Sequence, residues 1–160
     1  MARHKHRVFG LASRFARHSH ELDDICQDVF IKVYEHLNEF RREAPFEHWL
    51  SRITINVCYD ALKKAKREKD HLPIEVLSSD VRDRSLEAGE AARQAYETLM
   101  WALARLRPDE RIVITLLELE EKSVKDVAVL TGWREGNVRV RAHRARQVLK
   151  KILEEHHESS

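Results

Sequence analysis

Asp23, Asp24 and Asp28, with Gln27 among them, crowd a stretch of six residues and are the first candidates for acid–base or metal chemistry. They fall in little more than one helical turn. No nucleophile or base stands at a fixed spacing from them, and His4, His6, His18 and His20 form no zinc-ligand pattern, so neither catalysis nor a metal centre is expected. No cofactor is expected either. Cys26 and Cys58 lie far apart and outside any C-x-x-C spacing, which reads as two buried thiols in a reducing compartment. A different chemistry is written into 134–151, where seven basic residues stand against one acidic. Arg134, Asn137, Arg139, Arg141, His143, Arg144 and Arg146 offer guanidinium forks, an amide and an imidazole, the groups that pair with phosphates and with base edges. Lys63, Lys64, Lys66 and Arg67 make a second basic run.

The 160 residues carry a net charge of only +2, but the charge is segregated along the chain. Successive blocks 1–20, 21–43, 44–67, 68–98, 99–122 and 123–160 sum to +5, −4, +3, −4, −1 and +3. Two separated basic regions on a nearly neutral chain suggest two contacts with a polyanion, with nucleic acid first in line. No apolar run reaches the length of a membrane span, and the basic first twenty residues lack the apolar core of a secretory signal. A cytoplasmic protein is the expectation.

The elements that must position these residues read as helices. Four glycines and three prolines in 160 residues are too few turn breakers for a barrel or sandwich. Val8, Leu11, Ala12 and Phe15 predict an amphipathic helix ending near His18. Leu22, Ile25, Val29, Val33, Leu37 and Phe40 predict a second from Glu21 to about Phe40, its early acids suiting the helix dipole. A loop over Arg41 to Pro45 follows, and then a third helix over 46–67 that buries Trp49, Leu50, Ile53 and Val57. Periodicity fades over 68–89, an acidic linker. Helices are expected again over 91–106, 108–120, 124–130 and 135–154. Ser123 and Asp126 give the third of these a capping-box signal, and Thr131-Gly132-Trp133 breaks it. The last buries Val138, Ala142, Ala145, Leu149 and Ile152.

The fold class is therefore all-α: two small helical domains, 1–67 and 91–156, joined by a flexible acidic linker over 68–90. A short helix, a glycine turn and a longer basic helix make a helix-turn-helix, whose second helix enters a major groove.

At this point the sequence resembles a bacterial sigma factor of the extracytoplasmic-function group in the sigma-seventy family. Glu21-Leu22-Asp23-Asp24-Ile25-Cys26-Gln27-Asp28-Val29-Phe30 is similar to the family's region two helix. Phe46-Glu47-His48-Trp49-Leu50-Ser51-Arg52-Ile53-Thr54-Ile55-Asn56 stands for its F-x-x-W-L-x-R-I-x-x-N, followed by Asp60-Ala61-Leu62-Lys63-Lys64. Gly136-Asn137-Val138-Arg139-Val140-Arg141 and the residues to Arg146 resemble region four, with Asn137 and Val140 where Thr and Ser are usual. The resemblance implies that Asp23, Asp24, Gln27 and Asp28 meet the β′ clamp helices of core RNA polymerase, with the β subunit as a further contact. It implies that Phe40, Arg41, Arg42 and Asn56 surround an unstacked base of the minus-ten element while Lys63 and Lys64 touch promoter phosphates. It places Arg134, Asn137, Arg139, Arg141, His143 and Arg144 on the minus-thirty-five DNA, and it implies an anti-sigma partner. The competing reading is a dimeric helix-turn-helix regulator acting without polymerase.

Overall fold

The computed structural model describes residues 2–69 and 89–159, whose regular structure is helical, with no strand among the described residues. The helices are α1 (Ala2–Ala12), α2 (Ser19–His36), α3 (Phe46–Lys69), α4 (Glu90–Leu103), α5 (Pro108–Ile114), α6 (Val124–Thr131) and α7 (Glu135–Glu158). They build two compact units, the first carrying α1 to α3 and the second α4, α5 and α7. Of the expected linker, 68 and 69 extend α3, Glu90 opens α4, and 70–88 lie outside the described residues.

In the first unit the three helices pack pairwise around Val8, Phe15, Ile25, Val29, Leu50 and Ile55. Helix α1 stops at Ala12, short of the expected His18. The Ser13 hydroxyl donates to the Gly10 carbonyl at 2.7 Å, and the Phe15 and Ala16 amides both turn back to the Ala12 carbonyl. This tight turn carries Phe15 to full burial, on the side a continued helix would also have placed it, which is why the periodicity overran. Helix α2 starts at Ser19 because His18 caps it, its Nδ1 accepting the Glu21 amide at 3.2 Å. It ends at His36, before the expected Phe40. A 3₁₀ turn over Leu37–Glu39 winds tighter than an α-helix, so Leu37 swings out to half exposure and Phe40 leaves the chain extended (φ −70°, ψ 112°).

Helix α3 begins at Phe46 as expected, but its buried face is broader than the predicted stripe. It packs on both α1 and α2, burying Leu50, Thr54, Ile55, Val57, Cys58 and Leu62 and leaving Trp49 and Ile53 only half-buried. The Thr54 hydroxyl donates to the Leu50 carbonyl at 2.8 Å, satisfying a buried polar group inside the helix. Cys58 is buried, whereas Cys26 is half-buried. Burial, followed by the negative charge of Asp23, pushes the Cys26 thiol above its ordinary pKa against the pull of Lys5.

In the second unit α5 packs along α7, and Leu103, Leu106, Ile114 and Ala145 form a core joined by Leu99, Met100, Leu149 and Ile152. Pro108 opens α5, where Glu110 accepts the Arg107 amide at 3.1 Å. The helix expected to reach Glu120 is α-helical only to Ile114. Thr115–Leu119 form a π turn, closed by the Glu120 amide on the Thr115 carbonyl at 3.0 Å. Ser123 and Asp126 form a reciprocal box: the Asp126 amide donates to the Ser123 hydroxyl at 3.0 Å and the Ser123 amide to the Asp126 carboxylate at 3.3 Å. Ser123→Ala is expected to cost about 1 kcal/mol of stability, read as a lowered urea midpoint. An unchanged midpoint would mean the box contributes nothing. Past α6, Gly132 takes φ +80°, a conformation only glycine adopts freely, so the break falls where the sequence places it.

Candidate nucleic-acid interface

Helix α2 buries Ile25, Val29 and Val33 and so turns its opposite face outward. Asp23, Asp24, Gln27 and Asp28 are all exposed there. The same face continues into two side chains that the periodicity did not single out, Ile31 at 48% and Tyr34 at 85% exposure. Both lie off the 25–29–33 stripe, and that displacement was the available signal. Acids, an amide and unburied apolar groups on one helix face suit a protein partner with basic rims and an apolar centre.

Phe40, Phe46 and Trp49 make an aromatic cluster with ring centroids 5.3 to 5.6 Å apart. His4 of α1 adds its edge to Phe46 at 4.9 Å. The three aromatics are half-buried, so one side of the cluster reaches solvent. The loop beside it carries Arg41 and Arg42, both exposed, with Arg42 held at φ 57°, a costly geometry for a residue with a Cβ. Trp49 and Asn56 are seven residues apart on α3, two turns along one face, and Asn56 is exposed. The structure therefore brings Phe40 and Trp49 into contact and sets Asn56 further along the same helix face. Lys63 is less free than its neighbours: its ammonium lies 3.3 Å from Asp60, which also faces Lys32 at 3.9 Å, and 4.3 Å over the Tyr59 ring. These are exposed pairs that a phosphate can replace at little cost. Lys64 is exposed.

On α7 the buried residues Val138, Ala142 and Ala145 define the inner face. Directly opposite stand Val140 and Arg144, flanked by Asn137 and His143, all exposed. His143, Arg144 and Arg134 make no ion pair among the described residues. The other arginines are held back by acids. Arg139 faces Glu135 at 3.6 Å, and Arg146 donates to Glu118 at 2.7 Å. Arg141 is half-buried, donating to Asp109 at 3.1 Å with its guanidinium 4.0 Å over the Trp133 ring. These long-range pairs between α7 and the 109–118 segment could not be read from spacing. An open groove of about 430 Å³, floored by Ile114, Leu149 and Leu153 and rimmed by Glu118, Arg146 and Lys150, runs beside them. Among the described residues no group of three His, Cys, Asp or Glu could hold a metal ion, and no helix is long and apolar enough to cross a membrane.

Comparison with known proteins shows the family. Residues 1–68 match Sigma-70 region 2 and residues 96–149 match Sigma-70, region 4. An RNA polymerase sigma-H factor of Pseudomonas aeruginosa is 31% identical over 160 residues, an alignment covering 95% of this chain and 83% of the relative. The chain belongs to the sigma-70 family, in its extracytoplasmic-function group. The ECF RNA polymerase sigma factor SigM of Mycobacterium tuberculosis is likewise 31% identical, over 151 residues, covering 94% of this sigma factor and 74% of its relative. The fold is shared with the sigma factor RpoE of Bartonella quintana, solved in complex with the anti-sigma factor NepR, at a TM-score of 0.67 and 24% identity over 94% of this chain and 92% of that one. Membership makes this sigma factor a transcription initiation factor of RNA polymerase and decides against the dimeric regulator.

Proposed function

We propose that the chain divides promoter recognition between its two ends, with residues 1–67 engaging core polymerase and the minus-ten element and residues 91–156 the minus-thirty-five element. The acidic stretch 68–90 connects them. The observation that carries this reading is the presence on one chain of two unlike exposed faces. On α2, Asp23, Asp24, Gln27 and Asp28 run into exposed Ile31 and Tyr34; on α7, Asn137, His143 and Arg144 stand outward, with no ion pair to His143 or Arg144 among the described residues. The first suits the β′ clamp helices, a protein surface, and the second suits a major groove.

Phe40, with Arg41, Arg42 and Asn56, holds an unstacked base of the non-template strand. The aromatic cluster supplies the stacking surface, Asn56 the amide donor and acceptor, and the loop arginines the attraction for the backbone. Lys63 and Lys64 touch phosphates and so add affinity and salt dependence without sequence information. On α7, Arg144, His143 and Asn137 face base edges, Arg134 and Arg139 lie against phosphates, and Arg141 supports the helix through Asp109 and Trp133. The apolar groove of Ile114, Leu149 and Leu153 supplies the contact with the β subunit.

The protein acts as a specificity subunit rather than a catalyst, and it works where polymerase works, in the cytoplasm. The Bartonella quintana RpoE is held by an anti-sigma factor. A partner of that kind silences this chain by covering the α2 face that polymerase needs. The test is affinity for core polymerase. Asp24→Lys combined with Tyr34→Ala is expected to weaken it by about tenfold or more with an unchanged melting temperature, because both side chains are exposed. Unchanged affinity would remove α2 from the polymerase interface.

A further inference from the structure

Over the first turns of α7, from Glu135 to Gln147, the exposed side chains are polar except at one position; the other exposed apolar residue of the helix, Val148, comes after them. Val140 is 49% exposed, in the second turn of a helix whose first residue is Glu135. It stands between exposed Asn137 one turn before and exposed Arg144 one turn after, directly opposite the buried Val138, Ala142 and Ala145. A β-branched apolar side chain here is half-exposed to water in the free protein and stands off the buried stripe of the helix. In a helix-turn-helix it is the early turns of the second helix that meet base edges. From Asn137 to Arg144 the helix rises about 10.5 Å, the length of about three base steps.

We propose that Val140 reads the 5-methyl group of a thymine in the major groove of the minus-thirty-five element. The methyl is the one apolar group a base pair presents in that groove, and it is read by apolar contact, which Val140 offers along its whole side chain. Asn137 and Arg144 then flank an apolar contact, and the three positions sample successive base steps. The proposal rests on the reading of α7 as the minus-thirty-five recognition helix.

The experiment uses the full chain bound to core polymerase. The probe is a promoter duplex that gives a defined start in run-off transcription, with each minus-thirty-five thymine, on either strand, replaced in turn by uracil to remove only the methyl. Competition binding is expected to show one thymine whose replacement weakens the wild-type complex by about fourfold, the effect of losing one buried methyl. With Val140→Ser that same replacement should have no effect, while Val140→Ala should keep part of it. A wild-type complex indifferent to every replacement would overturn the proposal. So would a penalty of the same size in Val140→Ser. Arg144→Ala separates this failure from that of the underlying reading: if it leaves promoter affinity untouched, α7 is not the recognition helix, and if it weakens binding while uracil has no effect, only the role of Val140 falls.

Discussion

Phe40→Ala and Asn56→Ala, made separately, are expected to leave affinity for core polymerase and for duplex promoter unchanged while cutting the open-promoter fraction by about tenfold or more. Stacking one base on an aromatic ring is worth about 1 to 3 kcal/mol, so its loss alone accounts for that factor. Phe40 reaches solvent from a cluster with Phe46 and Trp49 at 5.5 and 5.3 Å, and it follows the α2 end in extended backbone. Its removal takes away the stacking face but leaves the Phe46–Trp49 contact at 5.6 Å, so the unit still folds. Asn56 is exposed, outside the buried core of α3. Permanganate reactivity of unpaired thymines in the minus-ten region reads the open state directly. If both variants open promoters as well as wild type, the cluster is core packing and no base enters it.

Arg144→Ala is expected to weaken promoter binding by about 1 to 3 kcal/mol, the range for a side chain that pairs with a base edge. The effect should concentrate on particular minus-thirty-five base pairs. Arg141→Ala should behave differently, although both residues lie on the same basic helix. Its guanidinium donates to Asp109 at 3.1 Å and covers Trp133 at 4.0 Å, so its loss appears first as about 1 to 2 kcal/mol of lowered stability. Equal loss of promoter affinity in the two variants without any loss of stability would put Arg141 on the DNA as well. Filter binding across substituted minus-thirty-five duplexes, with urea denaturation of each variant, separates the two.

Much of this architecture is legible in the sequence. The 25–29–33 and 138–142–145 stripes are regular and flanked mostly by polar residues, so helix and buried face follow from spacing alone. The box at Ser123 and Asp126 and the turn at Gly132 are local signals of backbone chemistry, and both stand in the structure. What periodicity could not show is where a helix gives way to a tighter or wider turn. Ser13 and Leu37 end their helices early through local hydrogen bonding and 3₁₀ winding, and both turns still bring apolar residues round every third or fourth position. The π turn at Thr115 is hidden for the same reason.

The candidate site was legible as residue types and illegible as pairings. Spacing placed Arg139, Arg141, Arg144 and Arg146 on one basic helix, but their separation into outward and tethered arginines depends on Asp109 and Glu118, 32 and 28 residues away from their partners. In the same way the aromatic cluster gathers His4, Phe40, Phe46 and Trp49 from three segments, which no local pattern announces. Ile31 and Tyr34 were visible as apolar residues off the stripe, yet only their exposure marks them as part of a surface.

Run-off transcription tests the central claim most directly. Purified protein is added to bacterial core RNA polymerase with genomic promoter fragments, and the start sites are read by sequencing the transcripts. The account predicts defined starts that depend on the protein, preceded by two shared motifs roughly one and a half to two duplex turns apart, which the two ends of the chain read together. If the protein shifts duplex DNA on its own while core polymerase neither binds it nor starts transcripts with it, the assignment of residues 1–67 to polymerase and the minus-ten element is wrong.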